Sequence, residues 1–183
     1  WTSLGKYYHS LLAKIYSRMI PPGSKVLAIG CGNGDLLSSL KPSIGVGVDI
    51  SPEMIALARD KHPELDFIND REDRFSCESK FDFIVFSDVL NDVWDVQSIF
   101  EHIQPLITTK TRIIINSYNR LWEIPLAISE KLGLSRPRLG QNWLTVSDLK
   151  NLLELSGFES IRTSRDILFP VSIPVLSPVL NCF

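Results

Sequence analysis

Val26-Leu27-Ala28-Ile29-Gly30-Cys31-Gly32-Asn33-Gly34-Asp35-Leu36-Leu37 decides the fold of this chain. A short apolar run reads as a buried strand, three glycines at alternate positions follow it, and a helical pattern resumes at once. Glycine is required where φ is positive or where a ligand lies against bare backbone. A tight strand-to-helix turn alone would be the plainest reading, but three glycines in register favour a ligand loop. The dinucleotide fingerprint Gly-x-Gly-x-x-Gly would put its third glycine at position 35, where Asp35 stands. A carboxylate near a helix N-terminus repels a pyrophosphate, so the loop favours a ligand without phosphates. The next strand, Ile44–Asp49, ends in an acidic residue nineteen positions after Gly30. Asp49 there can accept both hydroxyls of a ribose. The competing role, capping the following helix, falls more naturally to Ser51. Together these residues predict an adenosyl ligand whose tail is not a pyrophosphate.

Outward from this stretch the chain alternates apolar strands with helices. Tyr7–Ile20 has helical spacing, with Leu11, Leu12, Ile15 and Met19 on one side, and Pro21-Pro22-Gly23 stops it. Strands are predicted at Lys25–Ile29, Ile44–Asp49, Leu65–Ile68, Phe81–Phe86 and Arg112–Asn116. Helices are predicted from about Gly34 to Leu40, after the Ser51-Pro52 cap to about Lys61, and over Asp95–Ile107. An excursion over 117–144 follows. Thr145-Val-Ser-Asp148 opens a last helix that Gly157 ends, and Phe158–Phe169 reads as a sixth strand. The fold class is therefore α/β, a doubly wound, mostly parallel sheet with its crevice at the carboxyl ends of the strands. One domain over 1–183 is expected: a cofactor-binding core at 20–120, a substrate or lid excursion at 117–144, and a C-terminal helix, strand and apolar tail at 145–183.

The 183 residues are 44% hydrophobic and 22% charged, with a formal charge of −2, which excludes a disordered, collagen-like or coiled-coil chain. No bulk basic field points to nucleic acid. Cys31, Cys77 and Cys182 form neither a disulfide framework nor a metal-ligand spacing, so a reducing, cytoplasmic setting is expected. No signal peptide or transmembrane span is visible, and Ile167–Phe183 is interrupted by Pro170, Pro174 and Pro178. A start at Trp1 suggests a piece of a longer protein.

With these parts on the page, the chain resembles the class I, Rossmann-like S-adenosylmethionine-dependent methyltransferases. Val26–Gly34, Gly47-Val-Asp49-Ile-Ser-Pro-Glu-Met54, Asn69-Asp70 and Phe81-Asp-Phe-Ile-Val-Phe-Ser87-Asp88 carry the likeness. The resemblance implies that Gly30, Cys31, Gly32 and Gly34 lie against the methionine portion of S-adenosylmethionine. It gives Asp49 the ribose, Ile50 and Met54 the adenine, Asp70 the adenine amino group with Arg71 beside it, and Ser87, Asp88 and Val89 the sulfonium region. Tyr8 and Ser51 join this set. Many relatives carry Glu where this chain has Ala28; Asp35 and Asp88 are the candidates for the missing charge. The complete sheet of such relatives ends in an antiparallel strand, expected here to be missing or incomplete.

A closer resemblance rests on Tyr7-Tyr8-His9, Ser87–Asp95, Asn119-Arg-Leu-Trp122 and Gln141-Asn142-Trp143-Leu144. These are similar to bacterial methyltransferase domains fused to family-2-type glycosyltransferases, which implies a fused or neighbouring glycosyltransferase.

Methyl transfer from a sulfonium needs alignment and no protein nucleophile, so Cys31 is read as a packing residue. A base is needed only for an acceptor that loses a proton, and Asp88 is the candidate, although capping or cofactor contact suits it as well. His9 reads as a solvated or core-edge residue, His102 as plain surface and His62 as loop. Tyr118, Asn119, Trp122, Gln141, Asn142 and Trp143 mix aromatics with amides, which suits a small-molecule, glycan or glycolipid acceptor; Trp122 and Trp143 serve equally well as lid anchors. The reading from a different class is a non-catalytic module of the same fold that binds a partner domain.

Overall fold

The computed structural model describes residues 3–117 and 144–164. Five parallel strands form one sheet in the order β3-β2-β1-β4-β5. They are β1 (Lys25–Ile29), β2 (Ile44–Asp49), β3 (Asp66–Asn69), β4 (Phe83–Ser87) and β5 (Arg112–Asn116). The chain winds outward from β1 to β3, then returns to the other side of β1 for β4 and β5. This reversal puts the switch-point crevice between the carboxyl ends of β1 and β4. The register pairs Ile29 with Val48 on one side and with Phe86 on the other.

Burial on both faces explains the unbroken apolar runs. On one face, Leu12, Tyr16 and Ile20 of the N-terminal segment join Leu37, Ile55 and Ala58 in one apolar cluster. They belong to α1 (Ser3–Met19), α2 (Asp35–Ser39) and α3 (Pro52–Lys61), Ile20 following directly on α1. On the other face, Val96, Ile99 and Phe100 of α4 (Val96–His102) and Leu149 of α5 (Val146–Leu155) join β-strand side chains around Phe86. Ala28 lies in the first cluster at 4% exposure, where a carboxylate would be costly to bury.

Several boundaries shift. Leu12 and Tyr16 of α1, with Ile20 just after it, are buried and Met19 is exposed; the Tyr16 hydroxyl donates to Asn116 Oδ1 at the end of β5. The predicted helix Asp95–Ile107 is shorter. Asp95 caps α4 by accepting from the Ser98 N–H, and a 3-10 turn over Gln104–Leu106 follows. Pro105 has no N–H to donate, so the α pattern cannot continue. β3 and β4 begin one and two residues later than predicted. The Thr145–Asp148 capping box and the Gly157 stop, at φ 81°, are present. Residues 158–164 are not strand, so the first half of the predicted sixth strand is corrected; its remainder lies outside the described residues. No helix among the described residues is long and apolar enough to cross a membrane.

Candidate functional site

The β1–β2 side of the crevice is built by backbone. Gly30, Gly32 and Gly34 all have positive φ (73°, 52° and 77°), the conformation that the glycines permit. A Cβ on Gly30 would stand 2.8 Å from Val89 Cβ and 3.1 Å from the Ser87 carbonyl, so the glycine loop presses on the turn after β4. A Cβ on Gly34 would meet the Phe67 ring at 2.7 Å. Asp49 joins the two loops: its Oδ2 accepts from the Gly32 N–H at 2.8 Å and its Oδ1 from the Ser51 N–H at 2.9 Å. Each oxygen keeps a further lone pair for a hydroxyl donor. Ser51 caps α3 by accepting from the Met54 N–H.

Cys31 is buried, and its sulfur sits 2.8 Å from where a Cβ on Gly47 would be. Burial, reinforced by Asp49, pushes its thiol up to about 12, so it is a neutral packing group.

Asp35 departs from its expected part. Lys61 Nζ donates to both its oxygens at 2.9 Å, His62 Nε2 lies 2.8 Å from Oδ1, and Asn33 donates at 2.7 Å. Burial works against its charge, but these bonds outweigh it and hold the carboxyl below its ordinary value. Lys61 offsets the charge that was expected to repel a pyrophosphate, so Asp35 does not carry that exclusion. Already engaged, it is also a poor source of a free negative charge.

The β4–β5 side is built by side chains. Ser87 closes β4, Val89 is buried, and between them Asp88 is held at φ 57°. The Tyr8 hydroxyl donates to Asp88 Oδ1 at 2.7 Å, and the Asn116 amide donates to the same oxygen. Asn116 Oδ1 accepts from the Asp88 N–H at 3.3 Å and from the Tyr16 hydroxyl. Burial raises the Asp88 carboxyl; the bonds from Tyr8 and Asn116 oppose it, nearby Asp92 adds to it, and the net position is about 7. Burial likewise raises the Tyr16 phenol.

The structure thus brings Tyr8, Gly30, Gly32, Asp49, Ser87, Asp88 and Val89 to the strand tips that flank the crevice. Ile50 is exposed and Met54 half-buried at the start of α3. Asp70 is exposed and accepts from the Arg71 N–H, while the Arg71 guanidinium pairs with Asp73. Tyr118, Asn119, Trp122, Gln141, Asn142 and Trp143 lie outside the described residues. His102 corrects its reading as plain surface: it is half-buried, its Nε2 lies 2.7 Å from the Phe75 carbonyl oxygen and its ring meets Phe75 edge-on. His62 lies in the loop directly after α3, as expected, where it serves as the helix C-cap. His9 packs edge-on against Tyr8, and burial lowers its pKa against the pull of Asp35.

Asn116 and Glu72 were missed, and Asn69 was quoted only as part of a motif, without a role. Asn116 was visible only as a polar end to an apolar strand. Asn69 donates to the carbonyls of Asp49 and Ile50 at 3.0 Å each, locking β3 to the tip of β2. Glu72 is half-buried, and burial together with Asp49 and Asp73 raises its carboxyl.

Comparison with known proteins agrees with this frame. A family profile described as "Methyltransferase domain" matches residues 4–163. A demethylmenaquinone methyltransferase of Chlorobaculum tepidum is 43% identical over 47 residues, which are 24% of this chain and 19% of that protein. The match thus spans about a fifth of that relative's length. A solved complex of the Haloferax volcanii Trm112 methyltransferase activator with a methyltransferase has a chain that superposes with a TM-score of 0.75 at 18% identity, over 93% of this chain and 76% of that one. Magnesium protoporphyrin IX methyltransferase from Synechocystis PCC 6803, solved with bound S-adenosylhomocysteine, gives 0.64 at 22% identity, over 88% and 77%. A profile match over most of the chain, on a sheet with this winding and this glycine loop, makes the chain a member of the class I S-adenosylmethionine-dependent methyltransferase domain family.

Proposed function

We propose that this domain moves a methyl group from S-adenosylmethionine to a small-molecule, glycan or glycolipid acceptor. The observation that carries the reading is the Asp49 bridge: one carboxylate holds the glycine loop through the Gly32 N–H and still offers lone pairs to a ribose. The residues fit the cofactor. The glycines leave bare backbone at Gly30–Gly34 for its amino-acid portion, and Asp49 receives the ribose. Ile50, Ser51 and Met54 flank the adenine, Asp70 and Arg71 stand at its amino edge, and Tyr8, Ser87, Asp88 and Val89 line the region of the sulfonium.

Bound S-adenosylmethionine supplies an activated methyl group for direct in-line displacement. The chain's own task is to orient, to exclude water and, for a hydroxyl acceptor, to take a proton. Cys31, neutral and packed, takes no part. Asp88 is the carboxylate in the right range for that proton.

The acceptor does not follow from the fold. The relatives above are named for demethylmenaquinone and for magnesium protoporphyrin IX, and they share the architecture. The glycan reading rests on Tyr118, Asn119, Trp122, Gln141, Asn142 and Trp143 and on the resemblance to glycosyltransferase-fused domains. In it residues 1–183 form one domain beside a glycosyltransferase. The test is calorimetric titration with S-adenosylmethionine, then transfer of labelled methyl groups to a panel of glycans and glycolipids. Saturable binding with label on a glycan supports the reading. Binding without transfer to any sugar removes the acceptor assignment, and no binding removes the enzyme.

A further inference from the structure

Glycine loses more conformational freedom on folding than any other residue, so the ties on a glycine loop decide how well it is set for a ligand. The first half of the loop is tied through backbone. The Gly30 and Cys31 N–H groups both donate to the Val48 carbonyl, at 2.9 and 3.0 Å, and the Gly32 N–H donates to Asp49. The second half runs into α2 through Gly34, an N-cap that brings no side-chain hydrogen bond. Its anchorage is Asp35, the first residue of α2. Lys61 Nζ donates to both Asp35 oxygens at 2.9 Å, and His62 Nε2 lies 2.8 Å from Oδ1. Asn33, inside the loop, donates to Oδ2 at 2.7 Å and accepts from the Asp35 N–H at 3.2 Å. The His62 ring also lies against Gly34, where a Cβ would meet its Cδ2 at 3.1 Å. A second tie joins the same two segments: Ser38 of α2 donates to Glu64 at 3.4 Å, and Glu64 stands 3.7 Å from His62 Nδ1.

Lys61 and His62 end α3, a ten-residue helix whose start is bound through the Ser51 N–H to Asp49, the residue that holds Gly32. One helix therefore reaches the glycine loop from both of its ends. A lone exposed ion pair adds little to stability. A carboxylate that takes Lys61, His62 and Asn33 together instead fixes one point of the backbone, and that point is where the ligand loop becomes helix. We propose that Asp35, Lys61 and His62 form a clamp that sets the glycine loop for the amino-acid end of the adenosyl ligand, with Asp35 as the positioning residue. The clamp acts through the backbone of Asn33 and Gly34 and not by contact with the ligand. The proposal rests on the S-adenosylmethionine reading.

The test is calorimetry with three ligands. S-Adenosylmethionine and S-adenosylhomocysteine carry the amino-acid chain, and 5′-methylthioadenosine lacks it. Asp35→Ala and Lys61→Met are each expected to weaken the first two by about three- to ten-fold and 5′-methylthioadenosine by less than about two-fold. The double variant is expected to bind no more weakly than Asp35→Ala, because both changes remove the same tie, and Lys61→Arg keeps the wild-type affinities. Should Asp35→Ala not fold, Lys61→Met and Lys61→Arg carry the test. Equal weakening of all three ligands, which a merely structural role would give, overturns the clamp. So does no weakening of any, or losses that multiply in the double variant; in each case the cofactor reading stands. A wild-type protein that binds none of the three overturns both.

Discussion

The two sides of the crevice are made differently. On the β1–β2 side, main-chain conformation does the work: positive-φ glycines, an Asp49 carboxylate on two backbone N–H groups, a serine cap. On the β4–β5 side, a strained aspartate is held by side chains from α1 and β5, distant in sequence. The first side is a rigid cradle that any side chain would spoil. The second is a polar network whose charge state depends on burial, and so on pH and ligand.

Gly30→Ala would break the first side hardest. It adds left-handed strain of about 1–2 kcal/mol to overpacking against Val89 of about 1–3 kcal/mol. Urea denaturation should show a loss in that combined range, with adenosyl binding lost beside it. An alanine accommodated at no cost would mean that the two loops do not press together.

Asp49→Ala should weaken 5′-methylthioadenosine by about 1–3 kcal/mol, since the Gly32 N–H and the ribose lose a charged acceptor. Unchanged affinity would remove the ribose role.

Asp88→Asn sharpens the second side. The wild-type carboxyl titrates near 7 in the fold and at 3.8 as an ordinary Asp. The folded state therefore prefers the protonated form. Its advantage is full below about pH 4 and is lost as pH rises through 7. Asn does not ionise, and it tolerates positive φ better at every pH. The ligand-free variant should gain about 1–2 kcal/mol over the wild type at pH 8, and less at pH 5, by thermal or urea melts. A gain that does not change with pH would assign the effect to backbone strain alone.

Tyr16→Phe should have the smallest effect, about 0.5–1.5 kcal/mol by urea denaturation, because Asn116 Oδ1 keeps the Asp88 N–H. A loss well beyond that would mean that the network acts as one unit.

The difference between the sides also governs what could be read in advance. Gly30, Gly32, Gly34, Asp49 and Ser51 signal through spacing along one strand–loop–helix, because the interactions that fix them are local or backbone-borne. Asn116 gave almost no signal. Its partners Tyr8, Tyr16 and Asp88 lie 108, 100 and 28 residues away, and no local pattern encodes such a meeting. Asp35 misled for the same reason: its charge was visible, but the Lys61 and His62 that offset it come from the end of α3. His102 misled because Phe75, in the segment between β3 and β4, covers it.

The amino-acid sequence by itself determined the order of strands and helices, the winding of the sheet and the glycine loop facing an acidic strand end. Hydrophobic periodicity, caps and glycines act within a few residues of themselves. Only the tertiary structure decided which carboxylate is neutralised and which is left open. Burial and the partners of a charge depend on what distant segments bring beside it, and that sets whether Asp35 or Asp88 has charge to give.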